Sequence, residues 1–427
     1  MSKTSVKRAI IVHPSDNLDT VPTACILIDF LLEESFEVDA FIFEGSDYPA
    51  PDFKGAIRFY SLGGHRATRS AGPHQSGDTS APIRLARTLP APIRISLRLI
   101  RRVGRSLLLV FKRFSVKITV ARKHSSRPYS FVVGVEPEGL VIARSLTRGL
   151  SVPLVYLSLE LLLSGELVSR KDRKLKNQEL ALSRRARLIL IQDQPRAERL
   201  AQENSLSMDK FLLLPNGPMG PGRRGSSGYW HKRFNLPSNA LIALHAGSLG
   251  LWTDLDAVAE STREWPKGWR LVIHTRHEGG ADADADRLNS LQNDKVFTSF
   301  TPVSRHEFAE LVDGADVGLA FYKRIEGSTY TQENLDLVGL SSGKAASYLR
   351  AGLPIVVNDG NSLSQFVSET GCGVVVSDAT QIASALKEIE RDYDRFSKRA
   401  ISAFDDFLDV SRVLPQLRQR LQEIALT

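Results

Sequence analysis

The sequence predicts two successive α/β domains, each a doubly wound parallel sheet, on three observations. Short apolar runs without polar alternation recur along the chain, as buried parallel strands require. Segments of helical period separate them, which builds βαβ units. A stretch crowded with Pro, Gly and Ser, LLLPNGPMGPGRRGSSG at 212–228, divides this alternation into two rounds. The length, 427 residues, suits two or three domains.

The first round opens with RAIIVHP (8–14), an apolar run ending in turn formers. TACILIDFLLEE (23–34) follows with helical period, and FEVDAFIFEG (36–45) reads as the next strand. Then come SFVVGVEP (130–137), a helix over 138–149, VPLVYLSLE (152–160), a polar helix near 170–186 and RLILIQD (187–193). After the Pro/Gly stretch the pattern restarts with LIALHAGSLG (241–250), a helix over 254–264, WRLVIHT (269–275), KVFTSF (295–300), a helix over 304–314 and DVGLAF (316–321). GLSSGKAASYLRAGLPIVV (339–357) supplies a further helix and strand, and GVVVS with more helices closes the chain. The expected division is 1–213, 214–403 and a C-terminal helix at 404–427 that crosses back to the first domain.

Charge is unevenly distributed. The net charge is +8, yet no acidic residue stands between Asp78 and Glu136, where thirteen Lys and Arg residues lie; the rest of the chain is at −5. Residues 62–128 therefore read as a basic insert, its 62–90 part a loop rich in Gly, Ser, Pro and Arg. Within PIRISLRLIRRVGRSLLLVFKRF (92–114), Arg94, Arg98, Arg101, Arg102, Arg105 and Lys112 share one helical face, with bulky apolar residues opposite. A cationic face backed by aliphatics suits an anionic membrane surface or a lipid-linked acceptor. The alternative is an ordinary domain helix packed on the sheet. Nucleic acid is disfavoured, because the interleaved residues are aliphatic more than aromatic.

Other classes fall away. Cys25 and Cys372 are too far apart for a zinc ribbon, which suits a reducing compartment. The N-terminal apolar core is too short for a signal peptide, and no run reaches the roughly 18 apolar residues of a membrane span. ADADADR (281–287) lacks the glycine and closing Glu of a calcium loop, and no metal set is expected. The GLSSGKAAS run is not a Walker loop: three residues separate Gly339 from Gly343, and Ala345 stands where Ser or Thr is needed.

Ligands in doubly wound sheets bind beyond the carboxyl ends of strands, so candidates are sought there. Gly247 and Ser248 follow a strand and let backbone amides approach a phosphate. Arg276 ends WRLVIHTR, a suitable place for a diphosphate contact. Ser342 is a credible N-cap that puts Gly343 and Lys344 in a first helical turn. A cation there opposes the helix dipole unless an anion joins it. Glu160 ends PLVYLSLE and could orient a hydroxyl or act as a base; Glu136 and Glu138 could line the same cleft.

Taken together, the order of elements, the LLLPNGP linker, ADVGLAFY followed by SSGKAASYLRAGLPIVVND, and the IQDQPRAERL run resemble GT-B glycosyltransferases, glycosyltransferase family 4 in particular. The resemblance covers the chain outside roughly 62–128. It implies two Rossmann-like domains facing a cleft. A UDP- or GDP-sugar donor would be held by the C-terminal domain without metal or other cofactor, and the sugar would pass with retention to an acceptor in the N-terminal domain. It further implies a lipid-linked or glycan acceptor of a cell envelope or exopolysaccharide, at the cytoplasmic face of the membrane. The family's E-x7-E glutamates are absent: the ribose-binding position falls on Ser347 and the first on Gly339, and Leu159 and Glu160 stand where the family commonly has a histidine. These departures keep two alternatives open, a non-catalytic GT-B subunit that binds nucleotide or glycan beside a partner, and a GT-B-fold nucleotide-sugar epimerase.

Overall fold

The computed structural model describes residues 7–16, 18, 21–44, 52–64, 115–275 and 283–426. The predicted basic face at Arg94, Arg98, Arg101, Arg102, Arg105 and Lys112, and the predicted Arg276, lie outside the described residues. In the first half the chain runs β1 (Arg8–Val12), α1 (Pro22–Glu33), β2 (Glu37–Glu44), β3 (Ile57–Gly64), α2 (115–126), β4 (Phe131–Val135), α3 (Glu136–Leu146), β5 (Leu154–Leu157), α4 (Arg170–Ser183), β6 (Leu188–Ile191), α5 (Gln194–Asn204) and β7 (Phe211–Leu213). The second half runs α6 (Tyr229–Phe234), β8 (Leu241–Ala246), α7 (Leu255–Ser261), β9 (Trp269–His274), α8 (Ala283–Asn289), β10 (Val296–Ser299), α9 (Arg305–Asp313), β11 (Val317–Ala320), α10 (Glu333–Asp336), α11 (Gly343–Arg350), β12 (Ile355–Asn358), α12 (Ser362–Thr370), β13 (Gly373–Val376), α13 (Ile382–Arg391), α14 (Tyr393–Phe407) and α15 (Leu414–Ala425).

Among the described residues the strands form two sheets, in the orders β3-β2-β1-β4-β5-β6-β7 and β10-β9-β8-β11-β12-β13, and every pairing is parallel. Strand order reverses between β1 and β4 in one sheet and between β8 and β11 in the other. The loops leaving these strands diverge there and open a crevice. The expected fold, two Rossmann-like domains, is the one observed.

Residues 62–128 were expected as an insert, and the structure trims that reading at both ends. Residues 62–64 complete β3, which pairs with β2. Helix α2 is an integral domain helix, because Val116 and Val120, one turn apart, join the core with Phe41, Val132 and Tyr156. The Pro/Gly linker also starts later than residue 212, since β7 pairs with β6 through Leu213.

At the C-terminus, α14 stays with the second domain, its Ala400, Ala403 and Phe404 packed beside Tyr348 and Leu349. The crossing comes after it, and α15 places Leu417, Leu421 and Ile424 among β1, β4 and β6 of the first domain. Burial of each such aliphatic contributes about 1.5–3 kcal/mol. The chain thus passes between domains twice, and the two passages touch. A Cβ on Gly217 would lie 2.4 Å from the Leu408 carbonyl oxygen, the Gly220 amide donates to Asp409 at 3.0 Å, and the Gly222 amide donates to Asp405 at 2.6 Å. Gly217→Ala should therefore lower stability by about 1–3 kcal/mol through forced separation of the two passages, read as a drop in the urea midpoint.

Candidate functional site

The C-terminal domain's half of the crevice forms where β8 and β11 end. Gly247, directly after β8, holds φ at +154°, which a residue with a Cβ adopts only with strain, and its amide donates to the His274 carbonyl at 2.9 Å. The turn behind it is braced by buried His245, whose Nε2 lies 3.0 Å from the Ser248 carbonyl. Burial and the neighbouring Lys344 keep that imidazole neutral, well below the usual histidine pKa. Ser342 caps α11 by accepting the Ala345 amide at 3.3 Å, and its hydroxyl lies 2.6 Å from the Tyr322 hydroxyl. Gly343 leaves room for Asn216 of the linker, which donates to the Ser341 carbonyl at 2.9 Å and accepts from Thr23 of α1 at 2.7 Å.

Lys344 projects from the first turn of α11 toward Gly247: a Cβ on that glycine would meet its Cε at 3.6 Å and its Nζ at 4.0 Å. The ammonium nitrogen is buried without a hydrogen-bond partner, and the nearest compensation is the Tyr322 ring, 4.9 Å from Nζ to centroid. Burial pulls its pKa down to about 7. An unpaired cation at a helix N-terminus is doubly unfavourable, by desolvation and by the macrodipole. An anion bound beside Gly247 and the start of α11 would offset both penalties. Ser347 does not extend this site, because its hydroxyl is turned back onto the Gly343 carbonyl at 2.8 Å.

The N-terminal domain's half forms beyond β4 and β5. Glu160 accepts an ion pair from Arg196 at 3.5 Å, and its amide donates to the Glu136 carboxylate at 3.2 and 3.3 Å. Its side chain is 54% exposed, and its pKa is raised by partial desolvation, with Arg196 opposing the shift. The Glu136 carboxyl is pushed well above the carboxylate range by burial first and by the charge of Glu160 next. The charge of Glu160 also acts on Tyr322, whose hydroxyl is held above its usual pKa mainly by burial. Tyr322 thus lies between the Lys344 wall and the Glu160 wall.

A segment after β11 spans the two domains. Asn334 donates to the Leu161 carbonyl at 2.6 Å and accepts the Leu161 amide at 2.7 Å, the Asn334 amide donates to Glu166 at 3.3 Å, and Arg199 of α5 pairs with Glu333. Gly247, Ser248 and Glu160 stand after strand ends, and Ser342, Gly343 and Lys344 stand at the start of α11, where the sequence places them. Tyr322, Asn216 and Arg196 were missed, although Tyr322 also follows a strand end and Asn216 sits in the PNG of the linker. A separate cavity of about 550 Å³ opens at the amino ends of β1 to β3, lined by Arg8, Arg58, Tyr60, Lys123, Ser126 and Arg127. There Arg8 meets Asp39 at 2.9 Å, Lys123 meets it at 3.0 Å, and Arg127 pairs with Glu37, so the cations are tied up in holding β1, β2 and α2 together.

With this geometry in view, the likenesses to known proteins are specific in part. Residues 283–409, which include Tyr322, Ser342 and Lys344, match the family model described as glucosyltransferase 3-like, C-terminal domain. No curated protein matches the sequence. Among solved structures, sucrose-phosphate synthase from Thermosynechococcus elongatus superposes with a TM-score of 0.65 at 13% identity, over 98% of this chain and 99% of that one. The Anabaena protein HepE, solved in complex with UDP-glucose, gives 0.65 at 13% identity over 97% and 99%. WaaG, a glycosyltransferase involved in lipopolysaccharide biosynthesis, gives 0.61 at 13% identity over 97% and 99%. The architecture is that of the GT-B fold.

The buried ammonium yields a pH prediction. The unfolded chain keeps the Lys344 proton up to the ordinary value of 10.5, whereas the folded chain releases it near 7. The unfolded state therefore binds more protons between those values, so this residue's penalty is complete below pH 7 and fades as pH rises toward 10.5. Lys344→Met should raise the melting midpoint at pH 6 and raise it much less at pH 9.5, measured by calorimetry.

Proposed function

We propose that the protein is a glycosyltransferase that takes a sugar from a nucleotide-sugar donor to a lipid-linked or glycan acceptor of the cell envelope or an exopolysaccharide. The observation that carries this reading is the unpaired, buried ammonium of Lys344 at the start of α11, directed at Gly247. A nucleoside diphosphate supplies the missing anion: the Gly247–Ser248 turn and the α11 amides would receive its oxygens, and Lys344 would neutralise the charge that develops as it departs. Arg276, by its place after β9, would add a second cation. The family-model match over this half and the UDP-glucose held by HepE support a UDP-sugar as donor, with a GDP-sugar as the other choice. Transfer with retention, and a diphosphate held by these groups without metal, follow from the resemblance to glycosyltransferase family 4.

The acceptor would enter over the N-terminal domain, where Glu160 would face the donor. Arg94, Arg98, Arg101, Arg102, Arg105 and Lys112 would bring the protein to the inner face of the cell membrane as a peripheral protein. Among the described residues no helix is long and apolar enough to cross a membrane. A non-catalytic GT-B subunit is the second reading, favoured by Ser347, whose hydroxyl is committed to its own helix where the family has a ribose-binding carboxylate.

UDP or GDP should raise the melting midpoint, and Lys344→Ala should abolish that rise. Release of nucleoside diphosphate from a panel of UDP- and GDP-sugars separates an enzyme from a binding subunit. The membrane reading is checked by flotation with liposomes containing phosphatidylglycerol: binding should be strong at low salt and weaken as salt rises.

A further inference from the structure

The geometry points to Glu136 as the group that receives the acceptor's hydroxyl and takes its proton, an inference that rests on the glycosyl-transfer reading above. Glu136 is the first residue after β4, next to β1, on the line where strand order reverses. Its φ is +60°, a conformation that glycine adopts freely and that a bulky residue holds at a cost of about 1–3 kcal/mol. The turn from β4 into α3 would be made more easily by glycine, so the carboxyl is retained against a local conformational cost.

That carboxyl meets the loop after β5 at Glu160. Its two oxygens share the Glu160 amide at 3.2 and 3.3 Å, both long bonds, so lone pairs remain for another donor. Glu160 beside it is already paired with Arg196 at 3.5 Å. Charges around Glu136 come from Glu160 and Glu138, with Arg196 opposing them. From the other domain comes Tyr330, itself at φ +71°, whose hydroxyl feels both Glu138 and Glu136. Burial holds the Glu136 carboxyl well above the usual carboxylate range, so its ionised form is a stronger base than an ordinary carboxylate.

In the step, the acceptor oxygen forms its bond to the anomeric carbon on the face from which the diphosphate departs, as the retention proposed above requires, while the bond from that carbon to the diphosphate oxygen breaks. The leaving diphosphate keeps the bonding electron pair beside Lys344, and the hydroxyl proton passes to the Glu136 carboxylate. Water can stand in for the acceptor, so release of nucleoside diphosphate from the donor alone reads the same proton transfer.

Two variants of the full chain test this, Glu136→Gln and Glu136→Gly, with the rate of UDP release from UDP-glucose and the midpoint rise caused by UDP as readouts. Both variants should lower UDP release by at least tenfold with the UDP-induced rise unchanged. Glu136→Gly should melt no lower than the wild type, since it relieves the backbone. Release within twofold of wild type in either variant would overturn the assignment. So would parallel loss of the UDP-induced rise, which would mean that Glu136 supports the fold or the donor site. If the wild type releases no nucleoside diphosphate from any donor in the panel, the glycosyl-transfer reading fails and this one with it; release by wild type and variants alike sinks this one alone.

Discussion

The two halves of the molecule are held in register by one buried guanidinium. Arg196 is 1% exposed in the first turn of α5, and its donors go to both domains: Nε to Gln192 at 2.9 Å, Nη2 to the Leu159 carbonyl at 2.5 Å, and Nη1 to the Leu337 carbonyl of the second domain at 3.0 Å. Asp193, which caps the same helix, also accepts the Leu340 amide at 3.0 Å. Burying a charge is costly unless its hydrogen bonds are satisfied. Here they are satisfied only when the loop after β5, helix α5 and residues 337–340 meet. The same cation faces Glu160, so domain contact and the electrostatics of the crevice share a single side chain.

Much of the fold was readable before any coordinates, for a physical reason. Parallel strands covered on both faces must be apolar throughout, and β1, β4, β5, β6 and β8 show this in FVVGV, LVYL and LILI among others. Strand β3 was not readable, because IRFYSLGG is an edge strand with half-exposed polar positions. Helix α10 was equally hidden: its four residues are ordered by Leu161, Glu166 and Arg199, which belong to the other domain. For the site, a strand end drew attention to Glu160 and a helix start with its cap to Lys344. Nothing in the sequence marks the left-handed backbone of Glu136 in the turn from β4 into α3, and the role of Asn216 arises from distant segments meeting.

Lys344 shows how the candidate site is set against stability. An amine buried without a partner, in a helix turn that repels it, survives because Tyr348, Leu349, Ala345 and Ala346 on the same short helix are deeply packed. Two of these contacts are specific. The Tyr348 hydroxyl accepts the Ala246 amide at 2.7 Å, and its ring fills the space left by Gly318. The helix is locked to β8 and β11 by its apolar side, which leaves its amino end free to carry an unfavourable charge.

The paired chain passages also limit how the molecule can move. Were the domains joined by one flexible strand of chain, they could swing about three axes. Two passages in contact, Gly217 against Leu408 and Gly220 against Asp409, remove that freedom and leave a line about which the halves can turn. The contacts of Asn334 and Glu333 with the first domain lie elsewhere on the interface and act as the latch of such a door. Turning about that line breaks the bonds of Asn334 to Leu161 and of Arg199 to Glu333, and the bond of Arg196 to the Leu337 carbonyl with them.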